Sequence, residues 1–578
     1  MSTSVPVYIP SERSTIAALL TPPAGEASAL AVLICAPWGW DEVASYRSRR
    51  EWAERLAEAG HHVLRFDLPG VGDSSGGPRD PDQLGAWRSA VRDCARWLRE
   101  SAAASEVAVL GLGFGGLLAR DVISGGAPIE QLILWGAPAR GRSFVRETRA
   151  FAGMQRWEQD EAAADGGLEA GGFLLSAETQ GAISDSPAPP PGRGLRRVLL
   201  LARDGVAVDK KTRESFEAVV DDVVEAAGDG WGNFVEHPER SFLPDSVVST
   251  VADWLAAGEP ADGAADPASP SLPSSEQVAE MGAIEERPWR LRRDSGDFYG
   301  VISGPAEDAE VGPAIVFLNA GAVRHTGPDR LWVELARAAA EAGIPSLRVD
   351  LEGIGETDGD VLGRGHVGEF YAERFERQVG AILNSLESSG VGRRFMVVGL
   401  CSGGYWGYRV ARSDRRVERA VLINAGALHW EDDLVEEREA RKLRRAFSLR
   451  WWKRLLSGQI RLSRLGAVFA TSMRRMFGRL TRSAGPLEVV GYNDEFDTLL
   501  RSGTAVTLAF SADEPLEAEL IEAHVVERIA RWPNIRLEHL PGADHSLRPL
   551  AAQAAATKLV LRELDEFFTL DRTASKAA

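Results

Sequence analysis

Cysteine is scarce in this chain: Cys35, Cys94 and Cys401 are the three among 578 residues. An odd, sparse set excludes a disulfide framework, and free thiols survive best where the medium is reducing, so a cytoplasmic setting is expected. No apolar run approaches the roughly 18 residues that cross a bilayer. Residues Met1 to Tyr8 lack a charged stretch followed by an apolar core, so no secretory signal is expected. Cysteine and histidine show no metal-ligand spacing. Neither Gly-x-Gly run has the phosphate-loop context with a downstream ribose-binding acid, so neither a metal nor a nucleotide cofactor is implied. Basic charge is in deficit, with 66 Lys and Arg against 84 Asp and Glu and a formal net charge of −18. Together with the absence of any recognised nucleic-acid motif, this argues against a nucleic-acid partner. The remaining balance, 44% hydrophobic and 26% charged, is that of a globular protein long enough to bury two cores.

Gly399-Leu400-Cys401-Ser402-Gly403-Gly404 follows the apolar run Phe395-Met396-Val397-Val398. A Gly-x-nucleophile-x-Gly turn between a strand and a helix bends sharply because its glycines have no Cβ, and it holds the middle residue in a strained, exposed conformation. Cys401 occupies that position. Ser402, one residue on, enters the helix, where its backbone N–H rather than its hydroxyl faces a reacting carbonyl. A thiol of ordinary pKa, about 8.5, is a few per cent ionised at neutral pH and needs a base. His545, in the turn-rich loop after Ile535–His539, is the natural one. The order nucleophile, acid, histidine then asks for a carboxylate at a strand end between them. Asp513, after Val506–Phe510, fills that role, with Glu514, Asp494 and Asp497 nearby as alternatives. The turn Asn319-Ala320-Gly321 after Ala314–Leu318 places the Ala320 N–H as a second oxyanion donor. His325, a little further on, is a candidate pocket residue or a solvated loop histidine.

Short β-branched runs alternate with amphipathic segments such as Leu331–Ala342, which predicts a mostly parallel sheet covered by helices on both faces. On these motifs, residues 286–570 resemble an α/β-hydrolase domain, with cysteine in place of the superfamily's commoner serine. Dienelactone-hydrolase-like members also carry cysteine. The resemblance implies a Cys401–His545–Asp513 triad acting on an ester or thioester through a covalent acyl-enzyme, resolved by water or by another acceptor. Hydrolase and acyltransferase both remain open, and a non-catalytic scaffold with an inert Cys401 is the alternative.

The first half repeats the plan. Phe66-Asp67-Leu68-Pro69-Gly70-Val71-Gly72-Asp73-Ser74 parallels Val349-Asp350-Leu351-Glu352-Gly353-Ile354-Gly355-Glu356-Thr357, and Val107–Gly116 parallels the stretch through Cys401. This self-similarity gives two tandem domains, 1–257 and 286–570, joined by a Pro/Ala/Ser-rich linker at 258–285. In the first copy Gly113 stands at the nucleophile position and Arg240 at that of the histidine, while Asp204 keeps the acid position, so covalent triad chemistry is not expected there. Its expected roles are packing against the active copy, gating, or binding a ligand; Trp38 and Trp40 are candidate lining residues of a remnant pocket. The Leu110–Gly113 turn and the segment Trp135–Gly141 are similar to hydrolases of bacterial exosortase and exopolysaccharide loci, which implies envelope or polysaccharide biology.

An insertion at 429–497 in the second domain occupies the usual place of a helical cap. From Arg441 to Arg482 it holds thirteen Lys or Arg and no Asp or Glu, interleaved with aromatics including Trp451 and Trp452. That local positive field suits a solvated cap paired with acidic surface elsewhere, a funnel for an anionic substrate lined by Trp451 and Trp452, or peripheral contact with an anionic membrane.

Overall fold

The structure, a computed structural model, describes residues 4–154, 166–186, 192, 194–258, 277–293, 296–306, 312–362, 367–430 and 491–577. The first half builds an eight-stranded sheet from β1 (Val5–Ser11), β2 (Ser14–Thr21), β3 (Leu30–Cys35), β4 (Val63–Phe66), β5 (Glu106–Leu112), β6 (Gln131–Trp135), β9 (Arg197–Leu201) and β10 (Asp222–Ala226). Beside it lies a small hairpin of β7 (Leu168–Ala170) and β8 (Phe173–Leu175). The second half builds nine strands: β11 (Ala279–Met281), β12 (Ile284–Leu291), β13 (Phe298–Pro305), β14 (Pro313–Phe317), β15 (Ser346–Asp350), β16 (Arg394–Leu400), β17 (Val417–Ile423), β18 (Ala505–Phe510) and β19 (Ile535–His539). The spatial orders are β1-β2-β4-β3-β5-β6-β9-β10 and β11-β12-β13-β15-β14-β16-β17-β18-β19. From β2 and from β13 onward the two orders are the same crossover pattern, antiparallel at the start and parallel thereafter.

Burial on both faces explains the continuous apolar runs. In β16, Phe395 and Val397 point into one core while Met396 and Val398 point into the other, the two-residue alternation of a strand sandwiched by helices. The second sheet begins earlier than expected: β11 and β12 start inside the stretch assigned to the linker. A three-residue Ala-Glu-Met strand carries too little periodicity to stand out from its Pro- and Ser-rich approach. Most of the cap, with Trp451 and Trp452, lies outside the described residues; its last segment is the helix Tyr492–Ser502.

The two halves meet through the repeated turns themselves. Arg65 of the first half makes a bidentate pair with Glu356 at 2.8 and 2.9 Å, and Arg348 of the second half reaches Asp73 at 2.5 Å. Arg65 matches Arg348 in the repeat, and Asp73 matches Glu356, so these are one contact made twice with the halves exchanged. Arg47 donates to the carbonyls of Gly355 and Thr357, and Arg330 to those of Gly72 and Ser74. The tandem therefore packs as the protomers of a two-fold dimer do, with one self-complementary patch on each side.

One member breaks the symmetry. His325 is 1% exposed, its Nδ1 2.7 Å from Asp350 and its Nε2 2.7 Å from Asp73. It is not a solvated loop histidine but a buried bridge between the halves, lining a small cavity there. Burial alone would lower its pKa; the two carboxylates outweigh that and raise it to about 9. Asp73 in turn is held well below the usual carboxylate range, burial being overcome by His325, Arg348 and Arg324. Because the folded pKa lies above the unfolded value, this bridge stabilises the protein fully below pH ~6.5 and fades as pH rises through about 9, a contribution of about 3 kcal/mol. The difference in unfolding free energy between the wild type and His325→Gln is thus expected to be largest near pH 6 and to shrink toward pH 10, measured by denaturant titration at each pH.

Candidate active site

Cys401 ends β16 and caps the helix Ser402–Ser413 with φ 56° and ψ −116°, a conformation that costs a residue with a side chain strain energy. The surrounding glycines are what permit it. A Cβ on Gly399 would stand 2.3 Å from the Gly403 backbone, and one on Gly403 would stand 2.2 Å from the Asn319 carbonyl oxygen. The Asn319-Ala320-Gly321 turn thus presses directly on the elbow. Ser402 is buried, and its Oγ accepts the Gly321 N–H at 3.1 Å, pinning that turn to the start of the helix. The Ser402 hydroxyl is spent on structure, as its position one residue past the bend requires. Asn319 braces the same turn from behind: Nδ2 donates to Asp350 Oδ1 and Oδ1 accepts the Leu351 N–H, both at 2.9 Å.

His545 lies close enough to Cys401 for the thiol to act on its pKa and is held from behind by a carboxylate, but that carboxylate is Glu514. Both Glu514 oxygens lie 3.0 Å from His545 Nδ1, which leaves the other ring nitrogen for the thiol. Asp513, the residue expected in this role, is exposed at φ 64° and forms the turn. The left-handed turn residue carries the following side chain inward, and the longer glutamate spans the gap; an aspartate preference in the acid position pointed one residue short. Glu514 is buried, whereas the His545 side chain is 46% exposed. Partial burial disfavours the imidazolium, yet the bonds and charges of Cys401 and Glu514 prevail and raise its pKa to about 10. Asn424 holds the histidine loop in place, its Nδ2 donating to the His545 carbonyl at 2.9 Å and to Ser511 Oγ at 2.8 Å. Nothing in its sequence context singled it out.

The first half keeps the bend and fills the space. Gly113 has φ 51° and ψ −124°, nearly the angles of Cys401. A Cβ there would meet Pro37 at 3.1 Å and the Trp231 indole at 3.3 Å. Trp231 opens a short helix after β10 whose N-terminus is capped by Asp204, which accepts the N–H groups of Gly230, Trp231 and Gly232 at 2.5, 3.1 and 2.8 Å. The retained acid is therefore a helix cap, and an indole sits over the vacant nucleophile position. Trp38 is buried against Phe144 and Phe173, so it packs the core.

The loop that replaces the lost histidine turns toward the other half. Glu239 Oε1 lies 2.7 Å from where a Cβ of Gly321 would stand, so its carboxyl rests on the oxyanion-side turn of the second domain. Burial raises the Glu239 pKa, while Arg240 and His545 lower it in part. Trp40 lies against His237, with ring centroids 5.5 Å apart, and under the Arg548 guanidinium of the histidine loop, 5.9 Å from the ring. Glu169 accepts the Leu550 N–H at 2.8 Å. The first domain thus forms one wall of the Cys401 site.

Among the described residues no group of His, Cys, Asp and Glu is arranged to hold a metal ion, and no helix is long and apolar enough to cross a membrane. Residues 315–557 match the model described as the alpha/beta hydrolase family, and residues 39–123 the model described as the alpha/beta hydrolase fold. No curated protein matches the chain. Solved structures similar to it include Est1E from Butyrivibrio proteoclasticus with ferulic acid bound, at 18% identity over 43% of this chain and 98% of that one, with a TM-score of 0.33. A thioesterase domain from the curacin biosynthetic pathway is 14% identical over 48% and 99%, with a TM-score of 0.29. The dienelactone hydrolase-like promiscuous phosphotriesterase P91 from metagenomic libraries is 16% identical over 49% and 98%, with a TM-score of 0.32. With a family match in each half and one crossover pattern built twice, the chain belongs to the α/β-hydrolase superfamily as a tandem of two hydrolase domains.

Proposed function

We propose that the second domain is a cysteine-dependent acyl hydrolase or acyltransferase acting on an ester or thioester, with Cys401 as nucleophile, His545 as base and acid, and Glu514 as the residue that orients His545. The observation that carries this reading is the left-handed Cys401 at the head of a buried helix, with the imidazole of His545 beside it and backed by Glu514. Glu514 favours the protonated ring, so His545 can hold the proton it takes from Cys401 as the sulfur attacks. Sγ adds to the carbonyl carbon, and the oxygen becomes an anion held by the N–H groups of Ser402 and Ala320. Collapse expels the alcohol or thiol, which takes the proton from His545, and leaves an acyl thioester on Cys401. The neutral imidazole then takes a proton from water or another acceptor, whose addition and collapse free the acyl group and release the Cys401 sulfur beside the protonated His545. Glu239, from the first domain, is placed to meet the part of the substrate beside the oxyanion turn.

The first domain, in this reading, takes no covalent part. Gly113 offers no attacking atom, and Trp231 fills the space above it.

Incubation with acyl thioesters is expected to add one acyl group in the intact mass of the wild type and none in Cys401→Ala; an unmodified wild type across a panel of acyl chains would count against the covalent step. Iodoacetamide is expected to label Cys401 and to spare Cys35 and Cys94, both buried with their pKa values pushed up by burial. Loss of Glu514 weakens the imidazolium, so in Glu514→Gln the pH profile of that labelling should move to higher pH, and thioester turnover should fall by about 10²-fold or more. Asp513→Asn should leave the profile in place.

A further inference from the structure

The first domain contains a cavity of about 200 Å³ at the carboxyl ends of β6 and β9, away from the plugged bend at Gly113. Its lining is apolar on one side, with Leu134, Pro138, Leu200 and Val208, and polar on the other, where Arg120 lies with Arg146 and Arg203. Arg120 sits on the helix Phe114–Ser124 and is 5% exposed. A guanidinium so deeply placed ordinarily has a carboxylate partner, because removing an unpaired charge from water is costly. Arg120 has none within ion-pair distance among the described residues. Its Nη1 donates to the Ala139 carbonyl at 3.2 Å, its Nε is buried without a partner, and its Cζ lies 5.7 Å from the Phe216 ring centroid.

Neither of the two carboxylates that share the cavity makes an ion pair with Arg120, although the charge of Asp209 acts on it at longer range. Asp209 caps the helix Lys210–Glu217, accepting the Thr212 N–H at 2.9 Å and its hydroxyl at 3.0 Å. Glu147 pairs with Arg203 at 3.7 Å. The second domain is a useful contrast. Tyr408 stands seven residues after Cys401, as Arg120 stands seven after Gly113, and its hydroxyl is satisfied by Glu495 at 2.7 Å. At the matching place the first domain has exchanged a satisfied neutral group for an unpaired cation facing a cavity.

From this we infer that the first domain binds a small organic carboxylate in this cavity, its anionic head on Arg120 and its apolar body against the Leu134–Leu200 wall. A guanidinium with free N–H groups matches the geometry of a carboxylate, and the apolar walls favour a short acyl or aryl tail over a bare inorganic anion. The site is independent of the chemistry at Cys401.

Titration of the full-length protein with benzoate and with butyrate, followed by isothermal calorimetry, tests it. One binding event per chain is expected, unchanged in Cys401→Ala and weakened about tenfold or more in Arg120→Met. Ala207→Trp, at the cavity rim, should weaken it as well, and this variant keeps the test valid should Arg120→Met fail to fold. Inorganic phosphate, titrated alone, should bind more weakly than either carboxylate. The inference is overturned if neither carboxylate binds, if binding survives Arg120→Met or Ala207→Trp in folded protein, if it is lost in Cys401→Ala, or if phosphate binds as tightly as benzoate.

Discussion

Arg65 with Glu356, and Arg348 with Asp73, hold this protein in the arrangement on which its candidate site depends. Charges buried at such depth are stable only when matched, and removing one partner of a buried pair costs about 3–5 kcal/mol. A pair used once would fix a distance; the same pair used twice, with the halves exchanged, fixes orientation as well. Arg47 and Arg330 repeat the logic with backbone carbonyls as acceptors. The turns that meet here follow β4 and β15 and lie at the carboxyl ends of their strands, the edge at which open α/β sheets place their functional loops. Docking through that edge is what brings Glu239 and Trp40 of one half to the Cys401 site of the other.

The two elbows share one backbone and differ in what they carry and what faces them. Gly113 and Cys401 share a left-handed conformation, and the glycines around both are demanded by backbone contacts: a Cβ on Gly111 would meet Gly116 at 2.5 Å, as one on Gly399 would meet Gly403. What differs lies across from the bend. In one half an imidazole backed by Glu514 faces it; in the other an indole does, with the old acid converted to a cap on the helix that carries it. The bend is thus a property of strand-to-helix packing, while reactivity depends on what faces it.

Much of this was legible in the residues, and for identifiable reasons. Strands such as Phe395–Val398 are buried on both faces and so read as unbroken apolar runs. The glycine frame of the elbow is local, and the repeat is carried by whole segments. Residues whose roles depend on the other half were not legible. His325 looked like a loop residue because its partners, Asp73 and Asp350, come together only when the halves dock. Glu239 gave no signal for the same reason, and Trp231 gave none because its contact with the Gly113 bend is made at long range within its own half. Glu514 stood only among the alternatives to Asp513, since the direction of a side chain past a left-handed residue cannot be read from spacing. Asn424 was missed because a single asparagine after a strand is indistinguishable from a turn former.

Joining the two copies in one chain has a consequence for how the contact between them can change. In a dimer of identical subunits every alteration appears on both sides of the axis and must suit itself. Here each side is encoded separately, so a residue such as His325 can be introduced once, facing an aspartate from each half, without a second copy across the axis to accommodate. The covalent tether keeps the local concentration of the two halves high whatever the strength of the contact. One copy is then at liberty to carry a glycine at the bend and a buried arginine further along the helix, while the other carries a cysteine at the bend with an imidazole beside it.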